Sequence, residues 1–161
     1  MPVKSIQQHI FWVFLFLISL QIQAQQKTGL LEISKFVDGD TFWVMNEKGI
    51  KEKIRLIGVD TPEARRTGRT EVEYFGKEAS EYVKRILTGR KVRLEYDVER
   101  YDRYKRTLAY VYLDDGTFLN ALLVKEGYAS AATFPPNVKY SEYFAKLQRE
   151  ARNKKRGMWK E

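Results

Sequence analysis

The stretch Arg55-Leu56-Ile57-Gly58-Val59-Asp60-Thr61-Pro62-Glu63 sets the terms for the whole chain. Leu56, Ile57 and Val59 are apolar and partly β-branched, which suits a strand running through a core. Pro62 has no N–H to give to a ladder, so the strand must stop before it. Asp60, Thr61 and Glu63 are then left together at the strand's mouth. Arg55 lies five residues before Asp60, on a segment that otherwise belongs inside. A strand needs neither that arginine nor two carboxylates at its end. A site for a metal and a phosphate uses all of them.

The remaining pattern reads as a frame for this stretch. Residues 30–37 form a first strand, and Asp38-Gly39-Asp40 is a turn signal. Residues 41–45 form a second strand, with Phe42 and Val44 on one face and Thr41 and Trp43 on the other. Residues 46–49 turn the chain into a third strand over 51–59. Residues 64–70 hold three arginines, a glycine and no periodicity, and read as a basic loop. Over 73–87, Phe75, Ala79, Tyr82, Val83 and Ile86 recur at helical spacing, and Gly89 follows the last turn.

Residues 91–98 alternate, with Val92, Leu94, Tyr96 and Val98 facing one way. Residues 107–113 are a further strand, closed by Asp114-Asp115-Gly116. Residues 119–126 form a short helix ending at Gly127. Ser141 is a candidate cap for a final helix that buries Phe144, Leu147 and Ala151, and Gly157 stops it. Five strands with a helix between the third and fourth predict an α+β fold, a five-stranded OB-type Greek-key barrel with about three helices. An α+β sandwich is the alternative.

A chain of 161 residues suits one domain, and 43% hydrophobic residues suffice for a core without staples. The absence of cysteine excludes disulfides, thiolate metal sites and a cysteine nucleophile. Residues 1–24 read as a secretory leader: Lys4 near the start, an apolar run over 10–20, and Ile22-Gln23-Ala24 as a cleavage pattern. The run is short for a membrane span, which takes about 20 apolar residues. The expected mature domain is 25–161, secreted or periplasmic, with an uncleaved anchor as the other possibility. A net charge of +8 with 14% aromatics points to a polyanionic partner, nucleic acid first and an anionic membrane surface second.

Asp38-Gly39-Asp40-Thr41 and Asp60-Thr61-Pro62-Glu63 are the two carboxylate clusters. Each has a structural reading of its own, a tight turn for the first and a helix start for the second. In a meander, however, the start of the second strand and the end of the third share an edge, so Asp40 and Asp60 can converge. Converging carboxylates repel unless a positive charge lies between them. His9, the sole histidine, lies in the leader, so a metal site in the domain is built from oxygen. That selects calcium or magnesium over zinc. Arg55 and Arg106 can bind a phosphodiester bidentately, although an arginine in a strand commonly reaches a surface acid instead. Tyr101, Arg103, Tyr104 and Lys105 interleave rings with positive charge, a pattern suited to stacked bases or to an amphipathic edge.

These segments together resemble the micrococcal, or staphylococcal, nuclease family of thermonucleases. Val37-Asp38-Gly39-Asp40-Thr41, Arg55 through Glu63, and Asp102-Arg103-Tyr104-Lys105-Arg106 running into Thr107-Leu108-Ala109-Tyr110 carry the resemblance. Phe75-Gly76-Lys77-Glu78-Ala79 and Gly157-Met158-Trp159 also fit. The resemblance implies an OB-fold, one calcium ion, and endonucleolytic hydrolysis of DNA and RNA to 3′-phosphate ends with little sequence preference. It implies that Asp40 and Asp60 hold calcium through carboxylates and Thr61 through its carbonyl, with Asp38 supporting them. It implies that Glu63 orients or deprotonates water, and that Arg55 and Arg106 bind the phosphate. Arg103 and Tyr104, from the interleaved rings and charge, and Phe134, from its place in the resemblance, are the expected nucleic-acid contacts. A monomer with no obligate protein partner, and no stable membrane span after leader removal, is expected.

Two departures from the family involve three positions. Lys105 stands where glycine is common, and it bears a steric cost if that turn needs a left-handed residue. Ala132 and Phe134 stand where nucleotide-holding tyrosines are expected, and Phe134 can stack but cannot donate a hydrogen bond. Relatives that bind single-stranded nucleic acid without cleaving it make a non-catalytic OB module the alternative function. Retention of Asp40, Asp60, Glu63, Arg55 and Arg106 together favours the enzyme.

Overall fold

In the computed structural model, the structure describes Trp12, residues 27–66 and residues 71–160. The leader expected over 1–24, Trp12 apart, and residues 67–70 of the basic loop lie outside them.

Five strands close into a barrel: β1 (Leu31–Asp38), β2 (Thr41–Met45), β3 (Lys51–Leu56), and the two later strands Lys91–Glu95 and Thr107–Leu113. The expected meander is present, with β1 antiparallel to β2 and β2 to β3. A separate short strand, β4 (Val59–Asp60), follows, so Lys91–Glu95 is β5 and Thr107–Leu113 is β6. The barrel order is β1-β2-β3-β6-β5, and the β3–β6 pair is parallel. This is the OB-type α+β barrel read from the element order.

On β2, Phe42 and Val44 are fully buried and Trp43 is half-buried, as the alternation predicts, but Thr41 is buried too. They join Ile54, Val92, Leu94 and Val111 in the interior. Helix α1 (Gly76–Leu87) packs Val83 and Leu87 into this core. Helix α2 (Leu119–Lys125) is tied to the barrel by buried Asn120, whose Nδ2 donates to Ile57 O at 2.8 Å and whose Oδ1 accepts from Val111 N at 2.9 Å. A final short strand, β7 (Ser130–Ala131), pairs with β4, and helix α3 (Ser141–Asn153) follows. These three α-helices are followed by a short 3-10 helix at Gly157–Trp159.

Several boundaries differ from the sequence expectation. The third strand does not run to Val59, because Gly58 turns the chain at φ 76 and starts β4 in a new direction. Helix α1 begins at Gly76 and not at Glu73, since Phe75 sits at φ 65, outside helical space. β5 stops at Glu95: Leu94 and Glu95 are both buried, which breaks the alternation, and Val98 is 73% exposed. Ser141 is the first residue of α3 and makes no capping hydrogen bond; Tyr140 occupies the cap.

Candidate active site

The β1–β2 turn and the β3–β4 turn bring Asp38, Asp40 and Asp60 to one edge of the barrel. Thr41 pairs with Arg55 across the β2–β3 ladder, which places Asp40 beside the arginine. Gly58 then folds the chain so that Asp60 returns to the same guanidinium. Arg55 Nη1 lies 2.7 Å from Asp40 Oδ2, and Nη2 lies 2.8 Å from Asp60 Oδ1. Nη1 also donates to Val59 O at 3.1 Å. One guanidinium thus spans two carboxylates from segments twenty residues apart. Thr61 adds to the clasp, donating from N at 3.3 Å and from Oγ1 at 3.2 Å to Asp40 Oδ2. Thr61 begins no helix; residues 61–64 are irregular.

The electrostatics are those of an acid excess. Burial raises the Asp38 carboxyl; the Gly39 N–H opposes this and the Asp40 charge adds to it. Burial raises Asp60 as well, against Arg55 and together with Asp40. Glu63 is raised by burial and then by Asp38, Asp40, Glu73 and Asp60 in turn. Every donor in reach is oxygen, so the chemistry of the set fits a hard divalent cation, which would offset the crowded charge. Among the described residues no three acidic or histidine side chains form a ligand cluster by themselves. Asp40 and Asp60 are the two carboxylates that the Arg55 guanidinium brings together there.

Arg106 is held differently. Its Nε donates to Asp102 Oδ2 at 2.7 Å and its N–H to Oδ1 at 2.9 Å, within one tight loop. Burial would raise Asp102, but these bonds and the Tyr104 N–H outweigh it and hold the carboxyl below its usual range. Lys105 sits at φ 60, so this turn does place a side chain in the left-handed region. Tyr104 lies under both Arg103 and Arg106, at 4.8 and 5.5 Å from ring centroid to guanidinium carbon.

Arg55, Arg103, Tyr104, Arg106 and Phe134 all line one cleft of about 730 Å³. Phe134 is 65% exposed and presents its ring there. Asp40, Asp60 and Glu63 are not part of that lining. Arg55 is the residue that joins the cleft to the acid cluster. Nothing in the sequence pattern marks Asn137, whose amide makes a reciprocal pair with Glu99 N and O at 2.8 Å and so fastens the Phe134 loop to the Arg106 loop. For Asp102 as the partner of Arg106, the four-residue spacing is the signal in the sequence.

The family model described as Staphylococcal nuclease homologue matches residues 53–161. The thermonuclease of Staphylococcus hyicus is 45% identical over 128 residues, covering 80% of this chain and 74% of that protein. The thermonuclease of Staphylococcus intermedius is 46% identical over 127 residues, with 79% and 74% covered. The endonuclease YncB of Bacillus subtilis is 36% identical over 137 residues, spanning 84% of this chain and 64% of that one. With the barrel, the shared guanidinium and a match over most of its length, the chain belongs to the staphylococcal nuclease family.

Proposed function

We propose that the protein is a calcium-dependent endonuclease that cuts DNA and RNA with little sequence preference and leaves 3′-phosphate ends. As a member of the staphylococcal nuclease family it is a hydrolase of phosphodiester bonds. The observation that carries the finer reading is the position of Arg55, which touches both Asp40 and Asp60 and also lines the cleft that Arg106 enters.

Asp40, Asp60 and the Thr61 carbonyl would hold the calcium, with Asp38 beside them. When bound, the ion supplies positive charge to a phosphate oxygen and to the charge that grows on it in the transition state. Glu63 orients an attacking water and takes its proton. Its raised carboxyl suits that work, because a stronger base is better matched to neutral pH. Water oxygen bonds to phosphorus, the bond from phosphorus to the 5′-oxygen breaks, that oxygen takes up a proton from solvent to leave as a hydroxyl, and the phosphate stays on the 3′ side. Arg55 and Arg106 share the phosphate's charge through fixed N–H donors, which lose no proton at working pH. Arg103, Tyr104 and Phe134 hold the nucleic acid, the arginine by charge and the rings by stacking.

The apolar leader over 1–24 supports a secreted or periplasmic enzyme released by cleavage after Ala24. Among the described residues no helix is long and apolar enough to cross a membrane. The working unit is a monomer. The test is degradation of plasmid DNA and of RNA with calcium, with magnesium and with a chelator. Calcium-only cleavage with 3′-phosphate ends is the expected result. Cleavage with magnesium alone overturns the metal assignment, and binding without cleavage makes the protein a single-strand binding module.

A further inference from the structure

Two glycines, Gly39 in the β1–β2 turn and Gly76 at the start of α1, are fixed by close approach and not by a left-handed turn. A Cβ on Gly39 would stand 2.7 Å from Thr61 Oγ1 and 2.9 Å from Thr61 Cβ. A Cβ on Gly76 would stand 2.2 Å from the Glu63 carbonyl oxygen and 2.6 Å from its carbon. Neither glycine has a positive φ, so what bars a side chain there is the closeness of the neighbouring chain. The segment that carries Thr61 and Glu63 therefore lies between two chains that approach closer than a methyl group allows. A second device acts on Glu63 alone. Its N–H donates to Glu73 Oε2 at 3.1 Å, and its carbonyl accepts from Glu73 N at 2.9 Å. Both main-chain polar groups of Glu63 are thus taken up by one exposed residue, ten positions on.

We propose that Gly39, Glu73 and Gly76 are positioning residues which set the two functional halves of this segment separately. Gly39 sets Thr61 against Asp40, the side assigned to the metal. Gly76 and Glu73 set Glu63, the side assigned to the water. The inference rests on the role given to Glu63 and Thr61 in the proposed function. Its physical content is that the segment is irregular and has no ladder of its own to hold Glu63. Pro62 fixes one dihedral; the rest must come from outside. A catalytic group held to less than an ångström needs such outside contacts, because a displacement of about 1 Å costs about 100-fold in rate.

The test uses the whole mature chain and reads kcat and KM on a single-stranded oligonucleotide. Calcium affinity is read by calorimetry and folding by thermal melting. Gly76→Ala and Glu73→Ala are expected to lower kcat by about 10- to 100-fold, with KM and calcium affinity within about twofold of the parent. Glu73→Gln keeps an oxygen for the Glu63 N–H and should restore kcat to within about threefold. Gly39→Ala should weaken calcium binding in the calorimeter by about tenfold, at the Thr61 end. Gly89→Ala is the control, since Gly89 lies at φ 72 with open space around it and lowers stability only.

If Glu73→Ala keeps kcat within twofold, or if Gly76→Ala loses no more than Gly89→Ala at equal folded fraction, the positioning role is overturned. If Gly76→Ala does not fold, the Glu73 pair decides, because that side chain is exposed. Glu63→Gln separates the two levels. Full activity in Glu63→Gln removes the assigned base and the positioning claim with it. Lost activity there, with kcat intact in Glu73→Ala and Gly76→Ala, sinks the positioning claim alone.

Discussion

Glu95 is fully buried, yet its carboxyl is held below the usual glutamate range. Asp60 and Glu63 keep more contact with solvent, yet theirs are pushed up, as is Asp38. Burial acts in the same direction on all four. The difference lies in what surrounds them. Oε1 of Glu95 receives Lys139 Nζ and, at 2.9 Å, Tyr140 Oη, and Lys27 Nζ stands 3.0 Å from Oε2. At the site one guanidinium serves Asp40 and Asp60, while Glu63 has four acids acting on it. A carboxylate with its charge matched holds the barrel together. A group of carboxylates left in excess has room for a cation from outside.

Arg55 is where this contrast breaks most sharply. An ammonium in its place can reach one carboxylate but cannot span two or offer a planar pair of donors to phosphate. By analogy with arginine fingers, Arg55→Lys should lower kcat/KM by about 10³-fold or more. Lys139→Ala, at the matched carboxylate, should leave kcat within about twofold and lower the melting temperature instead. Similar activities in the two variants would remove the distinction between a working and a structural acid cluster.

Next in size is Glu95 itself. Glu95→Gln strips a buried charge from two ammonium groups and should cost about 3 kcal/mol of unfolding free energy by urea denaturation, with kcat unchanged below the transition. Its pH dependence has a definite sign. The folded carboxyl titrates below the ordinary value of 4.5, so the unfolded chain takes up the proton first. The stabilisation is therefore complete above that value and is lost as pH falls through the folded pKa. Denaturation series should show parent and Glu95→Gln far apart at neutral pH and converging below it. Curves that stay parallel into acid would mean that the charge on Glu95 contributes nothing.

The same contrast separates what the sequence announces from what it hides. The bounds of β2 and β6 are legible because turn signals flank them, Asp38-Gly39-Asp40 before β2 and Asp114-Asp115-Gly116 after β6. β5 misled for the reason just given: an apolar pattern continues through Tyr96 and Val98, but Glu95 turns inward to its lysines and the chain leaves the barrel. Arg55, Asp40 and Asp60 stand out because two acid clusters at the ends of neighbouring strands and an arginine on one of them can converge at one edge. Glu73, Asn137 and Gly76 do not stand out. Their partners lie 10, 38 and 13 positions away in irregular chain, and no periodicity links residues across a loop. Gly39 sits in the expected turn, but its closeness to the side chain of Thr61 has no mark in the sequence.

The smallest expected effect tests the comparison from its other side. If the site keeps an excess of negative charge, removing one charge there should help the fold where it harms it at Glu95. Glu63 is the residue to change, since Asp38, Asp40, Glu73 and Asp60 all act on it in the same sense. Glu63→Gln should gain about 0.5 kcal/mol in urea denaturation without metal, a small figure because the group is only half-buried and solvent screens it. Hydrolysis should fall by about 10²-fold or more in the same variant. Stability and activity then move in opposite directions at Glu63, whereas at Glu95 stability alone moves. A loss of stability in Glu63→Gln would show that its carboxylate is anchored like that of Glu95, and the acid excess would have to be sought in Asp38 and Asp60 alone.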